Sequence, residues 1–250
     1  MRIGLSLPAG DELRTAEAAE AAGLFAVLVG GSPPGVEMVL AAEVAAHTDT
    51  VRLVVRVPLG SEHPVTLAEE LAVLDAISGG RLVVLADTGE LDTAAAAEDL
   101  DLLRRCWVAR PVQHAGPRWR VPRGLPGHDA PAAVMVTPCP SQIDVPVWLT
   151  GRSAGPLAPN RSLPVLAGHP AECNGFVRVQ PAITDLAGDP EEDRDTAVRW
   201  ADAGATHLLV RVPPEADLAA LARYVVPEVA MPHFPRVIAE SPAPARWPVP

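Results

Sequence analysis

Five short clusters in this 250-residue chain carry the residue types from which a site can be built. Ser6 closes a first apolar run, Gly30 a second, Arg56-Val57-Pro58 a third, Asp87-Thr88-Gly89 a fourth and Thr150-Gly151-Arg152-Ser153 a fifth. If those runs are parallel strands of one barrel, the residues at their carboxyl ends share one mouth, which is where such folds do their chemistry. Asp87 offers a carboxylate for proton transfer, and His63, just ahead of Pro64, an imidazole that titrates near neutrality. Each also has a plain structural role open to it: His63 can cap the helix that Pro64 starts, and Asp87 the helix that follows its strand. The other histidines, at 47, 114, 128, 169, 207 and 233, show no metal-ligand spacing. No P-loop, GxGxxG or Ser-His-Asp order is present.

The elements that must hold these residues are easiest to read in HPVTLAEELAVLDAISGGRLVVLA, His63 to Ala86. Pro64 has the fixed φ suited to a first helical position, and Leu67, Leu71 and Leu74 recur at i, i+4 and i+7 as one apolar stripe. Gly79-Gly80 stops that helix, and Leu82 to Ala86 is a short continuous apolar run of the kind parallel sheets bury on both faces. The spacing predicts further strands over 2–8, 25–29, 50–57 and 145–150, and helices over 36–47 and 91–108. Asp189-Pro190-Glu191-Glu192 opens another helix with a cap, a first-position proline and acids at the positive dipole end. The unit AGLFAVLV at Ala22–Val29 recurs as AGATHLLV at Ala203–Val210, as a closed βα repeat requires. Residues 111–127 read as a hairpin or loop excursion. Pro156, Pro159 and Pro164 leave only a poor helix after the fifth strand, and the sixth helix is compact or missing around Gly168–Asn174. A last helix spans 214–226.

Composition bounds the rest. The length suits one barrel over 1–228 with a Pro-rich tail over 229–250. A net charge of −11 without clustered arginine disfavours nucleic acid and anionic membrane as partners. No apolar run has the roughly 20 residues of a membrane span, and the N-terminus enters a strand without a signal-peptide pattern, so a cytoplasmic location is expected. Cys106, Cys139 and Cys173 are odd in number and far apart, and read as ordinary thiols. Three Phe, one Tyr and five Trp are few for stacking a large planar cofactor.

The segment HPVTLAEELAVLDAISGGRL resembles the signature of the luciferase-like monooxygenase superfamily, flavin- or deazaflavin-dependent TIM-barrel oxidoreductases. The strand Arg2–Pro8, the run AEAAGLFAVLV and VPVWLTG at Val145–Gly151 are similar to that family as well, so the resemblance extends over most of residues 1–228. It implies an α/β (β/α)8 barrel, compact and shortened around strands five to seven. It further implies FMN or deazaflavin F420 as cofactor, a small organic substrate, and a dimer with a second copy or with another luciferase-like chain. The cofactor would lie among Ser6, Gly30, Arg56, Val57, Thr88, Gly89, Thr150, Gly151, Arg152 and Ser153, with the phosphate cradled at Gly151-Arg152-Ser153. Relatives carry an arginine where Thr88 stands and a histidine or aromatic residue just after the second strand, where this chain has Gly30-Gly31-Ser32-Pro33-Pro34. They often have a non-proline cis peptide as well, at the bond matching Val55–Arg56.

Three functions follow. The first is flavin-dependent oxidation of a small molecule. The second is a divergent member without flavin redox chemistry that serves as a non-catalytic partner subunit. The third is cofactor-independent cyclisation or isomerisation in the barrel mouth, with His63 or Asp87 as acid or base.

Overall fold

The computed structural model describes residues 1–30, 36–124, 131–173, 179–213 and 216–226. In its first half strands and helices alternate strictly: β1 (Arg2–Ser6), α1 (Glu12–Ala21), β2 (Ala26–Val29), α2 (Glu37–His47), β3 (Arg52–Pro58), α3 (Pro64–Ile77), β4 (Leu82–Asp87) and α4 (Thr93–Cys106). A small hairpin, β5 (His114–Ala115) and β6 (Arg120–Val121), intervenes before β7 (Val147–Thr150) and α5 (Ala154–Arg161). Then come a single 3-10 turn at Pro170–Glu172, β8 (Pro181–Asp185), α6 (Pro190–Asp202), β9 (His207–Arg211) and α7 (Leu218–Ala220), which runs on as a π turn over Leu221–Val225. Among the described residues the excursion after α4 thus contains a hairpin, and the region expected for the sixth helix holds a single 3-10 turn.

Seven strands make one curled parallel sheet in the order β7-β4-β3-β2-β1-β9-β8. Its two edges are bonded to the same short segment. Leu149 N donates to Pro164 O and Leu166 N to Leu149 O, both at 2.8 Å, on the β7 side. On the β8 side Ala167 N donates to Pro181 O at 3.0 Å and Ile183 N to Ala167 O at 2.9 Å. Each βα unit covers the outer face of its strand, so the strands are apolar on both faces and form two packed layers. Outside, Leu67, Leu71 and Leu74 of α3 and Leu100 and Leu103 of α4 bury against Val55, Val84 and their neighbours. Each such leucine contributes about 2 kcal/mol of apolar burial. Inside, Leu28, Val54, Leu85, Trp148 and Leu209 pack with Leu166 and Ile183 as a second cluster.

The repeated helix-to-strand unit lands on both sides of β1, with Gly4 paired to Ala26 in one copy and Leu209 in the other. A Cβ on Gly4 would stand 2.7 Å from Ala26 O and 3.0 Å from Leu209 Cδ2, so only glycine lets the two copies close in.

At the amino ends of the strands polar groups are spent on backbone. Glu20 accepts from the backbone N–H groups of Asp49, Thr50 and Val51, which holds its carboxyl down at about 2 although partial burial opposes this. The Arg81 guanidinium donates to the carbonyls of Ala45, Thr48 and Val51.

Several expected boundaries shift. The first strand ends at Ser6, short of Pro8, and Thr93 rather than Leu91 opens α4, because Asp92 accepts from Ala95 N as its cap. Residues 31–35, the tail from 227 onward, Asn174 and Pro214 lie outside the described residues. Among the described residues no helix is long and apolar enough to cross a membrane.

Candidate active site

Alternation along each strand decides which side chains reach the mouth. Leu28, Val54, Leu85, Trp148, Ile183 and Leu209 face inward, so the residues two positions on share that face. These are Gly30, Arg56, Asp87, Thr150, Asp185 and Arg211, with Ser6 in the same relation to Gly4. Close packing bears this out at Gly30, where an added Cβ would stand 2.8 Å from Arg56 Cβ. The mouth is therefore ringed by two guanidinium–carboxylate pairs, one on β3–β4 and one on β8–β9, separated by small or hydroxyl residues.

The first pair has the more buried carboxylate. Arg56 Nε donates to Asp87 Oδ2 at 2.9 Å, while Gly89 N donates to Asp87 Oδ1 at 2.9 Å, so both carboxylate oxygens are engaged. Asp87 is 14% exposed and Arg56 52%. The expected cap role of Asp87 is corrected here: Asp92 caps α4, and Asp87 shapes the turn before it. In the second pair Arg211 Nε donates to Asp185 Oδ1 at 2.6 Å and Nη2 to Oδ2 at 3.0 Å. The guanidinium keeps the Asp185 carboxyl below its ordinary value, and the carboxylate in turn raises Arg211. Neither Asp185 nor Arg211 was singled out from sequence. Only the end of an apolar run, HLLV before Arg211 and PAIT before Asp185, signals them.

The turns after β4 and β7 form one interlocked corner. Thr88, fully buried, donates its backbone N–H to Thr150 O at 2.9 Å and its Oγ1 to the same carbonyl at 3.2 Å. Ser153 N donates to Thr88 Oγ1 at 3.0 Å, and Ser153 Oγ donates to Leu91 O at 2.6 Å. Arg152 N donates to Gly89 O at 3.3 Å, and its side chain, 74% exposed, lies 3.5 Å from Glu90. Gly151 has φ +91°, and a Cβ there would stand 2.6 Å from Asp87 Oδ1 and 2.7 Å from Thr88 Oγ1. Val57 is elsewhere, buried in the outer layer.

This corner does not fit a flavin phosphate. The anion would need the Ser153 hydroxyl and turn N–H groups as donors, and those of Arg152 and Ser153 are committed to protein acceptors. The Arg152 side chain, 74% exposed and 3.5 Å from Glu90, is the cation beside this turn. The cis bonds among the described residues are Val121–Pro122 and Thr137–Pro138, so the Val55–Arg56 bond, which matches the one often cis in relatives, is trans.

His63 belongs to a different group. Its Nδ1 accepts from Val65 N at 3.2 Å, capping α3, and its ring meets Trp119 edge-on at 4.5 Å between centroids. Trp119 Nε1 donates to the buried Asp99, which also takes Arg118, and the neighbouring Glu98 accepts from His114 at 2.8 Å. Burial lowers the His63 pKa, against a smaller upward pull from Asp99. Burial likewise raises Asp99. The hairpin is thus pinned over His63, and His63 and Asp87 share no partner. Among the described residues no group of three or more His, Cys, Asp or Glu could hold a metal ion. Burial pushes the Cys106 thiol up to about 11, which leaves it protonated and inert.

The profile of the luciferase-like monooxygenase family matches residues 4–158. Curated protein sequences give no match. Among solved structures, EDTA monooxygenase from Chelativorans sp. superposes with a TM-score of 0.71 at 14% identity, over 92% of this chain and 93% of that one. The coenzyme F420-dependent tetrahydromethanopterin reductase of Methanopyrus kandleri gives 0.68 at 13% identity, over 91% and 99%. Monooxygenase RslO1 from Streptomyces bottropensis is 22% identical with a TM-score of 0.54, over 82% of this chain. This chain spans 66% of the length of RslO1. At these identities the likeness is one of fold.

Proposed function

Because the chain belongs to the luciferase-like monooxygenase family, we propose that it is a divergent member that keeps the family's barrel without its grip on a flavin phosphate, and serves as the partner of a flavin-loaded chain. Residues 164–167, bonded to both sheet edges, act in this reading as the eighth stave of a complete (β/α)8 barrel. The supporting observation is Ser153. Both its N–H and its hydroxyl are spent on the β4 turn, at 3.0 and 2.6 Å, so the residue that should greet an anion stitches two loops together. Proton transfer gains nothing from the mouth either, since Asp87 is ion-paired and His63 is a helix cap under Trp119.

The rival reading, a self-sufficient flavin oxidoreductase acting on a small organic substrate, follows from family membership and is tested directly. The full chain is titrated by calorimetry with FMN, reduced FMN and deazaflavin F420. No saturable binding is expected for any of them. Micromolar binding of one, with an occupied barrel mouth in the soaked crystal, would overturn the proposal and restore the oxidoreductase.

A further inference from the structure

The β5–β6 hairpin is too small to hold itself in place. Its ladder pairs His114 with Val121 and Ala115 with Arg120, and a two-stranded ladder that short has little stability of its own. What fixes it is α4. Glu98 accepts from the backbone N–H groups of Arg118 and Trp119 at 3.1 and 3.0 Å, and from His114 at 2.8 Å. A Cβ on Gly116 would collide with the Glu98 carboxylate, so the turn closes around that side chain. Asp99, almost wholly buried, takes Trp119 Nε1, the Arg118 guanidinium and the backbone N–H of Gly60 in the loop ahead of α3.

Trp119 also rests on His63, and that contact is conditional. His63 Nδ1 accepts from Val65 N at 3.2 Å, so the ring proton sits on Nε2 and the imidazole caps α3 only while it is neutral. A second proton would go to Nδ1, where it would point at the Val65 N–H and set a cation at the positive end of the helix dipole. The imidazolium must swing away, and Trp119, edge-on to this ring at 4.5 Å, loses its seat. The charged groups around the ring are Asp99 and Glu98 on α4, Arg118 and His114 in the hairpin, and Glu62 in its own loop. Burial lowers the His63 pKa and outweighs the upward pull of Asp99. The closed form is therefore favoured above the ordinary histidine value of 6.5 and loses ground as the pH falls from there through the folded value. Glu98, held below its ordinary 4.5, adds to the loss only in stronger acid. Asp99 works the other way, since burial raises it and a proton taken up there favours the closed form.

We infer that His63 is a proton-triggered catch: protonation at Nδ1 uncaps α3 and frees the β5–β6 hairpin from the loop ahead of that helix. The released form bares His63 and Asp99 beside the carboxyl end of β3 while the sheet stays folded. The inference stands whether or not the chain is a partner subunit.

The test follows backbone amide exchange in the full chain at about pH 7.5 and about pH 5.5, corrected for the intrinsic rate, together with the His63 ring signal in NMR. Protection of the Arg118 and Trp119 amides should fall roughly tenfold in acid, at the pH where the His63 ring titrates, while the Val54 and Val55 amides of β3 hold. His63→Asn keeps a capping oxygen that does not titrate, so its hairpin should stay protected at both values. Glu98→Gln keeps an acceptor without the charge, so its hairpin should exchange faster at both values with the acid step intact. Equal protection of the wild-type hairpin at the two values would overturn the inference, as would a His63 titration out of step with the exchange, which needs no variant to detect. An acid step that survives in His63→Asn would place the titration at another group. His114 is separated by sign, because a protonated His114 would draw Glu98 closer and slow exchange in acid. Loss at Val54 and Val55 in step with the hairpin would mean global opening and would overturn the catch as well. None of these readouts involves flavin, so a failure here is distinct from a failure of the titration above.

Discussion

The two sides of the mouth of the curled sheet are built on opposite plans. At the β4–β7 corner Thr88, Gly151 and Ser153 are buried or sterically closed, and their hydrogen bonds run between the two turns. At the β8–β9 edge Asp185 and Arg211 are 75% and 49% exposed, and their side chains bond to each other across the strand ends. The β4–β7 corner is a structural joint, and the charged groups facing solvent at the strand ends are paired as salt bridges. A joint of buried, shared hydrogen bonds should be costly to disturb, and an exposed pair cheap.

The largest effect should come from Gly151→Ala. A residue at φ +91° strains any side chain, and the new Cβ would sit 2.6 Å from Asp87 Oδ1 and 2.8 Å from Gly89 N. Denaturant unfolding should show a loss of about 2–4 kcal/mol. Stability within 0.5 kcal/mol of wild type would mean that the corner is loose enough to open for an anion.

Next comes the other end of the β8–β9 edge. His207, at the start of β9, packs against Phe25 at 5.1 Å and Trp148 at 5.5 Å between centroids, and burial lowers its pKa to about 4, helped by the charges of Arg2, the N-terminus and Arg52. The folded chain therefore keeps this imidazole neutral below pH 6.5, where the unfolded chain protonates it. Wild type should lose stability as the pH falls from about 6.5 to about 4, by roughly 3 kcal/mol in all, with no contribution above that window. His207→Phe should flatten that part of the stability profile measured by thermal melts. An unchanged acid limb would place the titration elsewhere.

Ser153→Ala should cost about 1–2 kcal/mol, because it leaves the Leu91 carbonyl without its 2.6 Å donor. Thr88→Val should cost a similar amount by stranding Ser153 N. The double variant should cost less than the sum, since the two side chains hold one joint.

The sequence made much of this fold legible and little of the site. The stripe Leu67, Leu71 and Leu74, the repeated AG-to-strand unit and the continuous apolar run Leu82–Ala86 each follow a pattern that a helix-covered parallel sheet imposes, so they could be read without coordinates. Gly151, Arg152 and Ser153 could be read as a turn but not as a closed one, because a phosphate cradle and a self-stitched turn use the same residue types. What separates them is whether Thr88 Oγ1 and Leu91 O lie within 3 Å, and that is fixed by the register of β4 on β7. His63 was legible as the cap that Pro64 announces, but the hairpin that covers it with Trp119 was not, since it comes from 56 residues further along the chain. Asp185 was hidden by PAITD, a strand too short and too mixed to show a period.

The smallest effect should be at Asp185. Its pair with Arg211 is exposed, so Asp185→Asn should cost 0.5 kcal/mol or less at neutral pH, and less again in high salt. The sign with pH is fixed by the lowered carboxyl: the contribution is present above the ordinary Asp value and disappears as the pH falls through the folded one, so wild type and variant should melt together in acid. The magnitude is also a measure of the edge itself. If Asp185→Asn costs as much as Ser153→Ala and the difference resists salt, the β8–β9 pair is shielded from solvent by the neighbouring loops, and the two sides of the mouth are closed alike.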